Sequence, residues 1–435
     1  MPAKTTALIW FKTNLRLRDN ECLIKALAEN DDVIPFYCLD EKLFQTTNLG
    51  FKKAGDFRLK FLKESLLQLD ADLRKLGSGL LLIKGVPEQE IARLVKEQGA
   101  QSIYAEKEVA PEELRTVTKV KAELLQLNCS FLEFECRNLF HSKDLPFNIA
   151  QLPDIFTDFR RKTEKGSPIR PVLAKPTIIT SPPITAIDLS LLNELTPKNV
   201  TPDPRAATHY EGGAKAAHER LQHYFYKTKA LSTYKETRNG MVGERYSSKF
   251  SAWLALGCIS AKEIYEEVKA YESLYGANDS TYWLIFELLW RDFFGFCMEK
   301  NGVRYFLRAA GQQSKAANPL KFNTLLNKWI NGQTGEPFVD ANMLELKHTG
   351  FMSNRGRQNV ASYLCNNLKL DWRYGAAYFE QQLIDYDVCS NWGNWAYLAG
   401  IGNDPRSNRY FNITKQAATY DAEGIFQRLW LDNKS

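Results

Sequence analysis

Short, nearly continuous apolar runs punctuate the first third of the chain: Ala7–Phe11, Val33–Cys38, Leu80–Lys84, Ser102–Ala105 and Ser130–Phe134. Runs of this length without polar alternation predict strands buried on both faces, as in parallel sheets. Between them, Phe57–Leu76 and Pro87–Gln98 repeat apolar residues at helical spacing, with Asp56 and Pro87 as start signals. Strand alternating with helix predicts a doubly wound α/β domain with a parallel sheet over residues 1–136. No glycine-rich fingerprint or P-loop follows a strand, so an ordinary dinucleotide or NTP site is not indicated.

The pattern then changes twice. Ten of the 17 prolines fall between Pro146 and Pro204. Proline breaks helices and removes donors, so residues 137–205 read as a long connector wrapped over a surface. From 206 to 435 strand signals nearly vanish, and helical spacing recurs in Ala214–Thr228, Ser260–Glu272, Tyr282–Lys300, Asn323–Asn331, Asp340–His348, Arg357–Asn367 and Ala376–Leu383. The second domain is therefore expected to be all-helical.

Composition changes this picture little. With 44% hydrophobic and 25% charged residues the chain reads as globular and ordered. A net charge of +6 permits an anionic partner such as nucleic acid without demanding one. The eight cysteines form no CxxC pair and read as reduced thiols. The apolar start is too short for a signal peptide, and no run is long enough to cross a bilayer, which predicts a soluble, cytoplasmic protein. The five histidines are dispersed, so neither a metal site nor a Ser-His-Asp triad is suggested. If the protein is an enzyme, its reactivity must be borrowed from a cofactor. Aromatics are more informative: six of the nine tryptophans (Trp283, Trp290, Trp329, Trp372, Trp392, Trp395) lie between 283 and 395, in a pattern open to core filling or to a stacking and electron-handling site.

Three constellations carry chemistry. Ser247-Ser248-Lys249-Phe250-Ser251 combines hydroxyls and an ammonium at a loop-to-helix junction, which suits either a phosphate seat or a plain N-cap. Trp283, Glu287 and Trp290 share one helical face, with Arg291 at i+4 from Glu287, either as a structural pair or as a ligand-facing acid beside an indole. Asn354, Arg355, Arg357 and Gln358, with Asp385, Tyr386, Asp387 and Asn391 downstream, offer arginines, carboxylates and carboxamides that suit a polar heterocycle.

The same residues carry a resemblance. Trp10–Asn20 (WFKTNLRLRDN), Phe250–Ser260 (FSAWLALGCIS), Glu287–Phe293 (ELLWRDF), Thr334–Asp340 (TGEPFVD) and Thr349–Asn359 (TGFMSNRGRQN) resemble the signatures of the photolyase/cryptochrome family. Leu145-Pro146-Phe147, Tyr386–Trp395 (YDVCSNWGNW) and Gly402–Arg406 (GNDPR) resemble its DASH branch. The match spans essentially the whole chain.

The resemblance implies an all-helical FAD-binding domain behind an α/β antenna domain. It implies that Tyr234 and Ser247 to Ser251 hold the FAD phosphates and ribose, and that Asn354 and Arg357 contact the flavin, Arg357 pairing with Asp385. Arg291 and Tyr386 fall in the same motifs, Asp387 matches an acid near a flavin carbonyl, and Asn391 matches the residue facing N5. Glu287 and Trp290 match the acid and the indole that engage a cyclobutane pyrimidine dimer. Gln358 and Tyr397 match lesion-pocket positions, with Tyr397 where ordinary dimer photolyases carry Trp. Trp395 and Trp372 match the proximal and middle members of an electron relay, whose distal member would fall near Pro319, where no Trp stands. A folate antenna (5,10-methenyltetrahydrofolate) is implied as an option, with Glu112 the best match to its acid.

The expected activity is light-driven repair of dimers, preferentially in single-stranded DNA, by a monomer. Basic residues such as Arg355 and Arg406 would meet phosphates. The alternatives are a blue-light signalling photoreceptor that binds DNA without repair, and a duplex-proficient photolyase.

Overall fold

The computed structural model describes residues 4–195, 200–307, 319–402 and 410–432, the side chains of 319–322 excepted. Five strands, β1 (Thr6–Phe11), β2 (Asp32–Asp40), β3 (Leu81–Gly85), β4 (Ser102–Glu106) and β5 (Ser130–Phe134), form one parallel sheet in the order β3-β2-β1-β4-β5. Trp10 lies opposite Phe36 on one side and Ala105 on the other. Ala7, Ile9 and Phe11 enter one apolar cluster, while Leu8 and Trp10 enter the other. This is the period-2 alternation of a strand covered on both faces, and it explains why the sequence reads as an unbroken apolar run. The crossovers are α1 (Glu21–Glu29), α2 (Asp56–Arg74), α3 (Pro87–Gln98) and α4 (Pro111–Gln126). The strand order reverses between β1 and β4, and their C-terminal ends part to leave a crevice.

Residues 137–205 are less bare than their prolines suggest. They include α5 (Phe156–Gly166) and α6 (Leu189–Leu195). Phe156 and Phe159 of α5 are buried against aromatic residues of the helical domain, which outweighs the local proline density.

The remainder is helical: α7 (Ala214–Gln222), α8 (Tyr234–Thr237), α9 (Ser251–Ala255), α10 (Ala261–Tyr275), α11 (Asp279–Asn301), α12 (Pro319–Ile330), α13 (Pro337–Thr349), α14 (Asn354–Ser362), α15 (Trp372–Gln382), α16 (Val388–Leu398), α17 (Ile413–Tyr420) and α18 (Ile425–Leu431). The expected helices Ala214–Thr228 and Arg357–Asn367 each end in a wide five-residue turn, His223–Lys227 and Tyr363–Asn367. Helix α11 starts at a capping box between Asn278 and Thr281. Among the described residues no helix is long and apolar enough to cross a membrane. Arg406 and most of the Gly402–Arg406 motif lie outside the described residues, as does the side chain of Pro319.

The opening motif joins the two domains. The Leu15 amide donates to Leu256 O at 3.1 Å. The buried Arg16 guanidinium donates to the carbonyls of Gly257, Asp19 and Cys136 at 3.0, 2.8 and 2.8 Å. Gly257 has φ +65°, and a Cβ there would fall 1.9 Å from Thr13 O. Gly257→Ala is therefore expected to destabilise the chain by on the order of 3 kcal/mol, combining left-handed backbone strain with a backbone clash. A fall in the denaturation midpoint checks it.

Candidate functional site

Helices α8, α9, α11, α14 and α16 converge on a cavity of about 1820 Å³, counted to its open mouth. The sequence-predicted residues Tyr234, Ser247, Ser248, Lys249, Phe250, Ser251, Glu287, Trp290, Arg291, Asn354, Arg357, Gln358, Asp385, Asp387, Asn391, Trp395 and Tyr397 all line it. They come from five stretches, from Tyr234 to Tyr397.

At one end, the loop before α9 is tied back by Arg220, which donates to the carbonyls of Ser248, Glu244 and Ser247 at 3.0, 2.8 and 3.1 Å. The loop carbonyls are thereby engaged on the side away from the cavity. Lys249, at φ +61°, is 2% exposed, and its ammonium has no hydrogen-bond partner. It rests over the Tyr246 ring, 3.2 Å from the centroid. Burial and the Arg220 charge hold its pKa well below the usual lysine value. A buried cation without a counter-ion is costly, which makes this a seat prepared for an anion.

Beside it, burial lifts the Glu345 carboxyl to about 8 against the opposing pull of Lys249. The folded, unliganded protein thus keeps a proton that the unfolded chain releases above pH 4.5. The stability from this group is present below that pH and lost as pH rises towards 8. Glu345→Gln is expected to gain on wild type across this window, by up to about 1.4 kcal/mol per pH unit, in unfolding measured without ligand.

At the centre, Arg357 donates to Asp385 Oδ2 at 2.8 Å and to Met352 O at 2.9 Å, while the buried Asp385 Oδ1 has no partner. Asn391, which lines the cavity, donates its side-chain N–H to Ala376 O at 3.0 Å. Trp290 stacks on Phe156 with centroids 3.7 Å apart and planes 10° apart, and it meets Tyr397 edge-on at 5.8 Å. Glu287 does not pair with Arg291, its i+4 neighbour. It forms a 2.6 Å ion pair with Arg238, and Arg291 donates instead to Arg137 O and Leu254 O at 2.6 and 3.0 Å. Burial raises the Glu287 pKa, and Arg238 opposes that rise. Trp395 sits in the cavity wall against Phe379 at 5.1 Å and Trp329 at 6.2 Å. Trp372 is buried and edge-on to Trp392 at 5.7 Å.

A second cavity of about 850 Å³ opens where β1 and β4 part, between the two domains. Two expected residues need correction here. Tyr386 lines this cavity and not the first, under the Arg58 guanidinium at 4.4 Å. Asp385 lines only the first cavity and Tyr386 only the second, while Asp387 lines both. Glu112 lines neither cavity and is ion-paired to Lys53. Glu113 faces the second cavity with Oε2 buried and unpartnered, and burial with the Glu108 charge lifts its pKa to about 7. Pro111 sets the helix start, and one residue along a helix turns a side chain by about 100°.

Sequence reasoning also missed Arg238, Arg137 and Phe156. Arg238 lies four residues after Tyr234 and lines the same cavity, a spacing that would have found it. The other two belong to the connector, and no local signal points from them to the site.

The first cavity fits FAD. Its unpartnered ammonium suits a phosphate, and the unpartnered Asp385 and Gln358 oxygens suit a hydrogen-bonding heterocycle. Residues 283–434 match the family described as the FAD binding domain of DNA photolyase, and residues 7–177 match DNA photolyase. The chain is 48% identical over 427 residues to cryptochrome DASH of Synechocystis sp., covering 98% of this chain and 87% of the relative. It is 47% identical to that of Danio rerio, covering 99% and 84%. The crystal structure of a Synechocystis sp. cryptochrome superposes with a TM-score of 0.92 at 46% identity, covering 99% of this chain and 90% of that one. A Sulfolobus tokodaii photolyase structure with two FAD molecules superposes at 0.80 with 26% identity, covering 98% and 90%. The matches extend over both domains and both cavities, and the chain belongs to the cryptochrome DASH branch of the photolyase/cryptochrome family.

Proposed function

We propose that this protein repairs cyclobutane pyrimidine dimers by light-driven electron transfer from reduced FAD, with preference for single-stranded DNA. The observation that carries the reading is that Glu287, Trp290, Gln358 and Tyr397 line the same cavity as Asn354, Arg357, Asp385 and Asn391. A lesion and a flavin bound there would share one space.

FAD supplies the excited-state electron. The chain supplies position and charge. Trp290, backed by Phe156, offers a fixed stacking face. Glu287, its pKa raised by burial, is poised to hydrogen-bond a dimer carbonyl, with Arg238 as counter-charge. Trp395, in the cavity wall, is the proposed tryptophan donor for recharging the flavin, with Trp372 as the proposed next member. The second cavity supports a folate-type antenna, with Glu113 in place of Glu112 as the acid that would meet it. The Sulfolobus photolyase, described as carrying two FAD molecules with an implied light-harvesting cofactor, supports an antenna reading in general.

The strand preference rests on cost. Extruding a dimer from duplex DNA costs a few kcal/mol, and each base stacked on an aromatic returns about 1–3 kcal/mol. Tyr397 offers less ring area than Trp and meets Trp290 edge-on, so the return is at the low end. Repair rates on matched single-stranded and duplex substrates at one salt concentration test this. We expect fast repair of the single strand and slow repair of the duplex, with binding weakening as salt rises. Equal rates would restore the duplex-proficient reading. Photoreduction without repair of either substrate would return the protein to the signalling class.

A further inference from the structure

We propose that Arg137, a connector residue outside every flavin-site motif, is a positioning residue of that site that clamps the Asp387 carboxylate at the head of α16. The proposal rests on FAD filling the first cavity.

The geometry is that of a built clamp. Arg137 follows β5 and reaches across to the helical domain, where Nη2 and Nε meet the two oxygens of Asp387 at 2.7 and 3.2 Å. A bidentate fork fixes orientation as well as charge. Its third nitrogen donates to Arg291 O at 3.3 Å, and its own carbonyl accepts from Arg291 at 2.6 Å. The guanidinium packs against Gly295 of α11, where a Cβ would fall 2.4 Å from Nη1. Glycine at that point leaves the room the clamp needs.

Asp387 is well placed to transmit the effect. Its side chain caps α16 through Ser390 N at 2.7 Å, and its carbonyl accepts from Asn391 N at 2.8 Å. Asn391 and Trp395 both belong to α16 and face the first cavity. Asp387 lines both cavities, so the ion pair forms the wall between them. The pair is 17% and 15% exposed, little screened by water. The groups that face Asp387 are Arg137 from the connector, Arg291 and Asp292 of α11, and Cys389 of α16, with Glu106 and Glu113 further off across the second cavity. Burial pushes the Asp387 carboxyl up, but Arg137 and then Arg291 outweigh it and hold it below its ordinary value. Without Arg137, the carboxylate keeps one cation, loses its fork and moves into a range where it titrates.

The test compares Arg137→Met, Arg137→Lys, Asp387→Asn and the R137M/D387N double variant with wild type. All are purified as holoprotein, with folding checked by circular dichroism. The wild-type flavin absorbance reports separately that FAD fills the cavity. We expect the wild-type flavin spectrum to be flat with pH in the mildly acidic range. R137M should show a titrating shift there and an FAD dissociation constant raised about tenfold, the equivalent of about 1.4 kcal/mol. The titration should vanish in R137M/D387N. R137K, with the charge but not the fork, should fall between. A wild-type pH profile in R137M, or a titration that survives in the double variant, would overturn the proposal. Should R137M not fold, a wild-type profile and affinity in R137K would overturn it equally.

Discussion

Replacing Trp395 by phenylalanine is expected to leave FAD bound and to abolish its photoreduction, while repair by protein reduced chemically beforehand stays close to wild type. Trp395 is 2% exposed in the cavity wall. Its ring is confined on several sides, by Phe379 and Trp329 and by Gly375, where a Cβ would fall 2.2 Å from the indole. Phenylalanine fills most of that space, so the loss of packing is well below the ~3–5 kcal/mol of a truncation to alanine. It is far harder to oxidise than an indole, and the donor is lost where the shape is nearly kept. Bleaching of the oxidised-flavin band under blue light reads the first half, and dimer repair by the pre-reduced variant reads the second. A collapse of both would mean that Trp395 belongs to the repair step itself.

Substituting Lys249 by alanine should move holo- and apoprotein in opposite directions. In the holoprotein it removes charge-assisted hydrogen bonds to phosphate worth about 1.5–3 kcal/mol, which is roughly a 10- to 150-fold rise in the FAD dissociation constant. Adding Ser251→Ala should weaken retention further. In the apoprotein it removes a buried, unpartnered ammonium and should raise the unfolding midpoint. The sign with pH follows from the lowered pKa. The unfolded chain holds the proton up to pH 10.5, whereas the folded state gives it up earlier, so wild-type apoprotein gains stability as pH climbs through that interval. The advantage of Lys249→Ala should accordingly be largest at low pH and fade towards 10.5. Calorimetry with and without FAD measures both. Full retention of FAD by the double variant would remove this loop from the phosphate site.

Much of the site was legible because its motifs are contiguous. Ser247–Ser251, Glu287–Arg291 and Asn354–Gln358 are single loops or turns, and each enters the cavity as a unit. The misses share one cause, which is direction. Glu112 and Glu113 are adjacent in a first helical turn, and only the packing of α4 decides which of them turns inward. Tyr386 sits between two aspartates that line the first cavity and faces the second instead, beyond the turn at Asp385. The Glu287–Arg291 spacing suits an ion pair, yet Arg238 takes the acid from another helix. Helix α16 was hard to foresee for a different reason. Ser390, Asn391, Gly393 and Asn394 are weak helix formers, and the segment folds as a helix because Asp387 caps it and α11 and α15 pack against it.

The sequence by itself determined the element types, the parallel sheet, the helical second half and the family. These follow from periodicity and from motifs that are local along the chain. Which acid faces each cavity, which arginine holds Glu287, and that Arg137 and Phe156 of the connector reach Asp387 and Trp290 were decided only by the tertiary structure. Such partners lie up to 250 residues apart, and their pairing depends on how two domains dock through Arg16 and Gly257 rather than on any pattern within either one.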